Sequence, residues 1–152
     1  MDIADRIVVV TGAASGIGRA LGLAFARAGA KLVVAADLDA DGAEDTAELT
    51  GGVAVPTDVS REDDIRSLIE TVEERHGPID IFCSNAGILA LGGPEVADET
   101  WQTLWDVHVM AHVWAARHVV PRMIARGGGY LLNTASAAGL LNQVGAAPYA
   151  VT

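Results

Sequence analysis

The sequence predicts an α/β fold: a doubly wound parallel sheet with helices over both faces, in three αβα layers. Three observations lead there. Short apolar, β-branched runs alternate with helix-forming stretches along all 152 residues. The runs lack the in-and-out alternation of half-exposed strands, as strands covered on both faces must. The first run also ends in a glycine-rich turn that leads directly into a helical pattern.

The first strand is expected at Ile7-Val8-Val9-Val10, ending at Thr11-Gly12. Residues 17–29 carry helix formers and end at Gly29, a C-terminal cap. Lys31 to Ala36 reads as a second buried strand, residues 40–49 as a short exposed helix, and Val53-Ala54-Val55-Pro56 as a third strand with its proline at the end. Ser60 is expected to cap a helix over 61–75, with Asp63 as its acidic partner, and Gly77-Pro78 breaks that helix. Ile79 to Ser84 is the fourth strand, followed by a loop over 86–97. Asp98 is expected to cap a long helix over 99–126, interrupted in its last third by Pro121 and ended by Gly127-Gly128-Gly129. Tyr130-Leu131-Leu132-Asn133 is the fifth strand, and a first helical turn lies near 147–152. The expected strand order is 3-2-1-4-5, which leaves an apolar strand 5 on an edge. The expectation is one domain over 1–152, cut short after strand 5.

Composition narrows the partners. The formal net charge of −10 opposes binding to nucleic acid and to anionic membrane surfaces. No apolar run is long enough to span a bilayer and no signal peptide is visible, so a cytoplasmic location is expected. The single cysteine, Cys83, lies in an apolar run with no base near it in sequence, and reads as a small buried hydrophobe.

Thr11-Gly12-Ala13-Ala14-Ser15-Gly16-Ile17-Gly18 sits between a strand and a helix, as a phosphate cradle must. Gly12 permits a tight turn, and Gly16 and Gly18 let backbone and helix approach a pyrophosphate without a Cβ in the way. The helix N-terminus offers free N–H groups and partial positive charge. Asp37 ends the second strand 19 residues past Gly18. A carboxylate there can accept from both adenosine ribose hydroxyls and would repel a 2′-phosphate; Ser15 adds no cation to the turn, so NAD is favoured over NADP in a Rossmann-type site. A rival pattern overlaps it: Asp37-Leu38-Asp39-Ala40-Asp41-Gly42 followed by Glu48 matches a calcium loop. A strand rather than a helix enters it, and Glu44 stands where an apolar residue is normal, so a metal site is not expected.

With these residues in view, the chain resembles a short-chain dehydrogenase/reductase over its whole length. The resemblance rests on the Thr11–Gly18 turn, Asp58-Val59, Asn85-Ala86-Gly87, Ser136 and Tyr149. It implies that Asp58 and Val59 hold the adenine, that Asn85, Ala86 and Gly87 wall the cofactor site, and that Thr11 steadies this turn through its hydroxyl. It implies that Ser136 orients the substrate oxygen and that Tyr149, 13 residues on, exchanges its proton. In the family a lysine four residues after the tyrosine lowers the phenol pKa and binds nicotinamide ribose; here the sequence ends at Thr152, one residue short. Two departures stand out. Ser84 replaces the first asparagine of Asn-Asn-Ala-Gly, and His108 stands where an asparagine usually serves a proton relay. His108 could take that role with pH dependence near ~6.5. His108 and His112 are expected to form a packed, hydrogen-bonded pair rather than a metal site, and His76 and His118 read as surface or helix-end residues.

The resemblance thus implies an NAD-dependent oxidoreductase acting on an alcohol or ketone, with the apolar loops 88–96 and 137–147 hinting at hydrocarbon bulk in the substrate. The alternatives are a non-catalytic nucleotide-binding fragment and, less favoured, a calcium-binding module. The resemblance also implies a homodimer or homotetramer when complete, with Leu104, Val107, Val113 and Val119 available for burial along the long helix.

Overall fold

The computed structural model describes residues 2–141 and 145–152. In chain order its elements are β1 (Ile7–Thr11), α1 (Gly16–Arg27), β2 (Leu32–Asp37), α2 (Ala40–Thr50), β3 (Val53–Pro56), α3 (Glu62–Arg75), β4 (Ile81–Ser84), α4 (Asp98–Trp105), a π-helical turn (Asp106–Met110), α5 (Ala111–Ala125), β5 (Tyr130–Asn133), a 3₁₀ turn (Ala137–Gly139) and α6 (Ala147–Val151). The strands form one sheet in the order β3-β2-β1-β4-β5, and every neighbouring pair is parallel. This is a Rossmann-like fold.

Alternation along β1 explains why its sequence looks uniformly apolar. Val8 and Val10 point into one cluster with Ala35, Ala43, Ala47, Ile81 and Cys83, backed by Leu21 and Phe25. Val9 points the other way, among Val34, Ile65, Leu68, Ile69, Val72, Phe82 and Val119. Each face of the sheet therefore has its own helical cover, and neither set of side chains meets water. On the α3–α5 face, Glu73 draws in Arg122 (3.1 Å) and Arg126 (2.9 Å), and Arg126 also reaches the Ile79 carbonyl. Nearby, Glu62 takes Arg117 (2.7 Å) and His118 (3.0 Å).

Several local expectations change. Helix α2 is not simply exposed: Gly42, Ala43, Thr46 and Ala47 are buried, their small size letting the helix lie close to β2 and β3. Ser60 does not cap α3. Its hydroxyl goes to Asp58 Oδ1 at 2.6 Å, Arg61 occupies the cap position, and Asp64 reaches back to the Asp58 amide at 3.2 Å. Asp98 is the first helical residue rather than the cap of α4. The long helix is divided by the π turn at Asp106–Met110, and not by Pro121, which lies inside α5 on its exposed side. There the carbonyl that a proline leaves unpaired can bond to water. Leu104, Val107 and Val119 are already buried in the chain's own core; of the four, only Val113 is exposed. Among the described residues, no helix is long and apolar enough to cross a membrane.

Candidate active site

The parallel sheet aims the C-terminal ends of all five strands at one edge, where ligands bind in folds of this type. At the centre is Thr11, buried at the end of β1. Its hydroxyl donates to the Cys83 carbonyl (3.3 Å) and accepts from the amides of Asn85 (3.0 Å) and Ala86 (3.2 Å). The Asn85 side chain returns the tie, donating from Nδ2 to the Thr11 carbonyl (3.1 Å) while its Oδ1 accepts from Thr134 (2.9 Å). Asn85 and Ala86 are half-buried, and Gly87 is exposed beside them.

The three glycines do different work. Gly12 has φ +67°, and a Cβ there would stand 2.6 Å from the Ala86 Cα. A Cβ on Gly18 would land on the Gly12 carbonyl. Both positions therefore serve the packing of turn, helix and β4 loop. Gly16 has φ +53° and nothing within 4 Å of its missing Cβ, so it alone faces open space. Ser15 is the N-cap residue of α1 but makes no side-chain cap, and the first turn holds no acidic residue. The amides of Ser15, Gly16, Ile17 and Gly18 have no hydrogen-bond acceptor among the described residues.

Asp37, half-buried at the end of β2, faces this turn: Oδ2 accepts from the Ala14 amide (2.8 Å) and Oδ1 from the Asp39 amide (3.0 Å). Each oxygen keeps a further lone pair. Sequence reasoning missed Arg19. From the first helical turn its guanidinium meets the carbonyls of Ala14 and Gly42 and the hydroxyl of Thr46 (2.9 Å), with Asp45 at 3.7 Å. A cation does reach the turn, but from the helix, and it is engaged by oxygens of α2; its signal was a lone Arg directly after the last glycine. At the end of β3, Asp58 Oδ1 accepts from the Ser60 amide (2.9 Å), and Val59 is buried. The rival calcium pattern is spent on other structure. Asp39 caps α2 through the Gly42 amide (3.1 Å), and Asp41 through Glu48 lie on that helix rather than in a loop.

On the other side of the edge, His108 sits in the π turn, a feature found often at functional sites. Its ring meets Tyr149 of α6 edge to face, centroids 5.5 Å apart at 87°. Nε2 accepts from the Ile88 amide (3.0 Å), and Nδ1 lies 2.8 Å from Thr152 Oγ1. Burial is the main influence holding His108 below its ordinary range, with His112 adding to it. The Ile88 backbone opposes this lowering, while its N–H meets Nε2 in the neutral ring. The expected histidine pair is not hydrogen-bonded: His108 bonds elsewhere, and His112 Nδ1 is buried without a partner among the described residues. Burial also lowers the His112 pKa, opposed by the Asn133 side chain. His118 is half-buried against Glu62, and His76 ends α3.

Ser136 is exposed and accepts from the Ala138 amide (3.1 Å), capping the 3₁₀ turn that packs against α6. No hydrogen bond joins it to Tyr149 among the described residues. A tie invisible in the sequence brings this region together: Gly92 donates to the Gly145 carbonyl (2.7 Å) and accepts from the Ala147 amide (2.9 Å). Leu89, Leu91, Leu140 and Leu141 are all exposed along these two loops. The Cys83 thiol is pushed up to about 12 by burial, which leaves it unsuited to nucleophilic work.

The family described as short chain dehydrogenase matches residues 6–152. The 1-deoxy-11-beta-hydroxypentalenate dehydrogenase of Streptomyces exfoliatus is 42% identical, over 100% of this chain and 58% of its own length. Epidermal retinol dehydrogenase 2 of Homo sapiens is 35% identical, over 97% of this chain and 50% of its own length. A solved 7 alpha-hydroxysteroid dehydrogenase, complexed with NADH and 7-oxo glycochenodeoxycholic acid, superposes with a TM-score of 0.91 at 27% identity, covering 99% of this chain and 61% of that one. The chain thus spans between about half and three-fifths of the length of these proteins.

Proposed function

This chain belongs to the short-chain dehydrogenase family, and on that premise we propose that it forms the nucleotide-binding and catalytic part of an NAD-dependent oxidoreductase acting on a hydroxyl or carbonyl group. The observation that carries the proposal is the row of unpartnered amides from Ser15 to Gly18 beside the carboxylate of Asp37. Four N–H groups at a helix start without a capping carboxylate suit a diphosphate. The free lone pairs of Asp37 suit the two ribose hydroxyls and disfavour a 2′-phosphate. Asp58 and Val59 would hold the adenine, and Asn85, Ala86 and Gly87 would wall the site, with Thr11 and Gly12 fixing that wall from behind. NAD, when bound, supplies the acceptor or donor of the hydride.

The chain's own residues handle the substrate oxygen. Tyr149 would give or take its proton, and Ser136 would orient it. An isolated phenol titrates near ~10, so it needs a neighbouring cation to serve as a base at neutral pH. General acid–base help of this kind is worth roughly 10²–10⁴-fold. The exposed leucines at 89, 91, 140 and 141 favour an alcohol or ketone with hydrocarbon bulk, in keeping with relatives named for a hydroxypentalenate, retinol and a hydroxysteroid. A homodimer or homotetramer remains the proposed assembly, with Val113 and the exposed Trp105 as apolar contacts on the helix surface.

Fluorescence titration with NADH and NADPH tests the cofactor assignment. Asp37→Ala is expected to weaken NADH roughly ten-fold and to erase most of the preference over NADPH. An unchanged preference overturns the ribose assignment. NADH binding without turnover of any alcohol or ketone by the protein would favour the non-catalytic nucleotide-binding reading.

A further inference from the structure

We infer that His108 is a positioning residue whose neutral imidazole clamps the loop after β4 to the helix that carries Tyr149, and that protonation of the ring opens this clamp. The inference rests on the proposed function for its consequence but not for its geometry. Both ring nitrogens are committed. Nε2 accepts the Ile88 N–H at 3.0 Å, and Nδ1 lies 2.8 Å from Thr152 Oγ1, which donates to the Pro148 carbonyl at 2.9 Å. One tautomer satisfies all three bonds. An N–H must meet a bare nitrogen, so the proton sits on Nδ1 and is donated to Thr152.

A backbone amide does not hand on its proton under these conditions, so in this arrangement the ring joins two segments and passes nothing through Nε2. The ties are also well separated in sequence: Ile88 is 20 residues before His108 and Thr152 is 44 after it. The ring lies against Tyr149 and close to Gly87, where a Cβ would stand 3.5 Å from Nε2. One side chain thus touches the cofactor-wall loop, the phenol ring and the residue that follows α6.

Protonation would set an N–H against the Ile88 N–H and break that bond. Among the described residues, the titratable groups facing the ring are Tyr149 from α6 and His112 from α5, and the β4 loop contributes backbone only; none of these is a carboxylate that could hold an imidazolium. Burial holds the folded ring below the ~6.5 of a free imidazole. An unfolded chain therefore binds the proton more readily. The clamp's contribution is fully present above that unfolded value and is lost as pH falls through the folded one.

Two measurements on the protein decide it. Imidazole ¹⁵N spectra should show His108 protonated at Nδ1 and bare at Nε2 at pH 7.5, and the Ile88 amide should exchange roughly ten-fold faster once the ring titrates. A proton on Nε2 at neutral pH overturns the clamp. NADH affinity should fall roughly three- to ten-fold in the wild type between pH 7.5 and a pH about one unit below the ring's own titration midpoint, read from the imidazole spectrum, whereas His108→Asn, which can still accept from Ile88, should vary less than about two-fold. His108→Phe, which keeps a ring against Tyr149 but neither nitrogen, should bind weakly at both pH values, and His118→Gln should follow the wild type. An acid loss that persists in His108→Asn overturns the proposal. If NADH binds at neither pH, the cofactor reading fails instead, and the imidazole spectrum and Ile88 exchange decide the clamp alone.

Discussion

Around β1 and β2 the cleft is built from partly buried contacts: Thr11 ties β1 to the β4 loop, Asp37 ties β2 to the glycine turn, and Arg19 ties that turn to α2. Around α4, β5 and α6 the ties among the described residues lie closer to solvent. They include the Gly92–Ala146 bridge, the Thr134–Asn85 bond, the His108 bonds and the Ser136 cap, set among exposed leucines. The first region resembles a rigid die for one invariant shape. The second can be reshaped without disturbing the sheet. A scaffold that takes one nucleotide and many alcohols would place its stiffness and its freedom in this way.

Substitutions can break or sharpen this contrast. The largest effect is expected at Gly18→Ala, because the new methyl meets the Gly12 carbonyl, backbone that has no room to move. Unfolding stability should fall by roughly 3 kcal/mol or more, read as the shift of the urea midpoint at constant slope. A smaller loss would mean that the first region yields more than its contacts suggest. Thr11→Val keeps the shape but strands the Asn85 and Ala86 amides, and should cost about 2 kcal/mol in the same assay. Gly16→Ala should cost only about 1 kcal/mol, the strain of a left-handed alanine, since its Cβ meets nothing. Its penalty should appear instead in NADH titration, which separates a glycine that faces ligand from one that faces protein.

What the sequence could and could not disclose follows the same divide. The strands, the glycine turn and the place of Asp37 were legible because each is written in contiguous residues, an apolar run, a turn, a strand end, and the strand order followed from the rules of parallel crossover connections. Arg19 was missed because its partners belong to α2, a helix whose burial depends on Gly42 and Ala43 meeting the sheet. The Ser60 cap failed because Asp58 competes for the same hydroxyl at shorter range. The π turn left no propensity signal, since Asp106–Met110 reads as ordinary helix. Position 108 is marked in the sequence only by its departure from asparagine, and the fold alone supplies Ile88 and Thr152 as its partners.

The backbone seam at Gly92 has a consequence for tailoring. Because this one residue both gives a hydrogen bond to Gly145 and takes one from Ala147, the two lips of the cleft are stitched before any guest arrives. A bulky molecule that pushed one lip aside would drag the other and, through the short helix that follows, the phenol. Grafting a new specificity onto this frame would therefore require exchanging both lips as a matched set; a single transplanted lip would pull the stitch out of line.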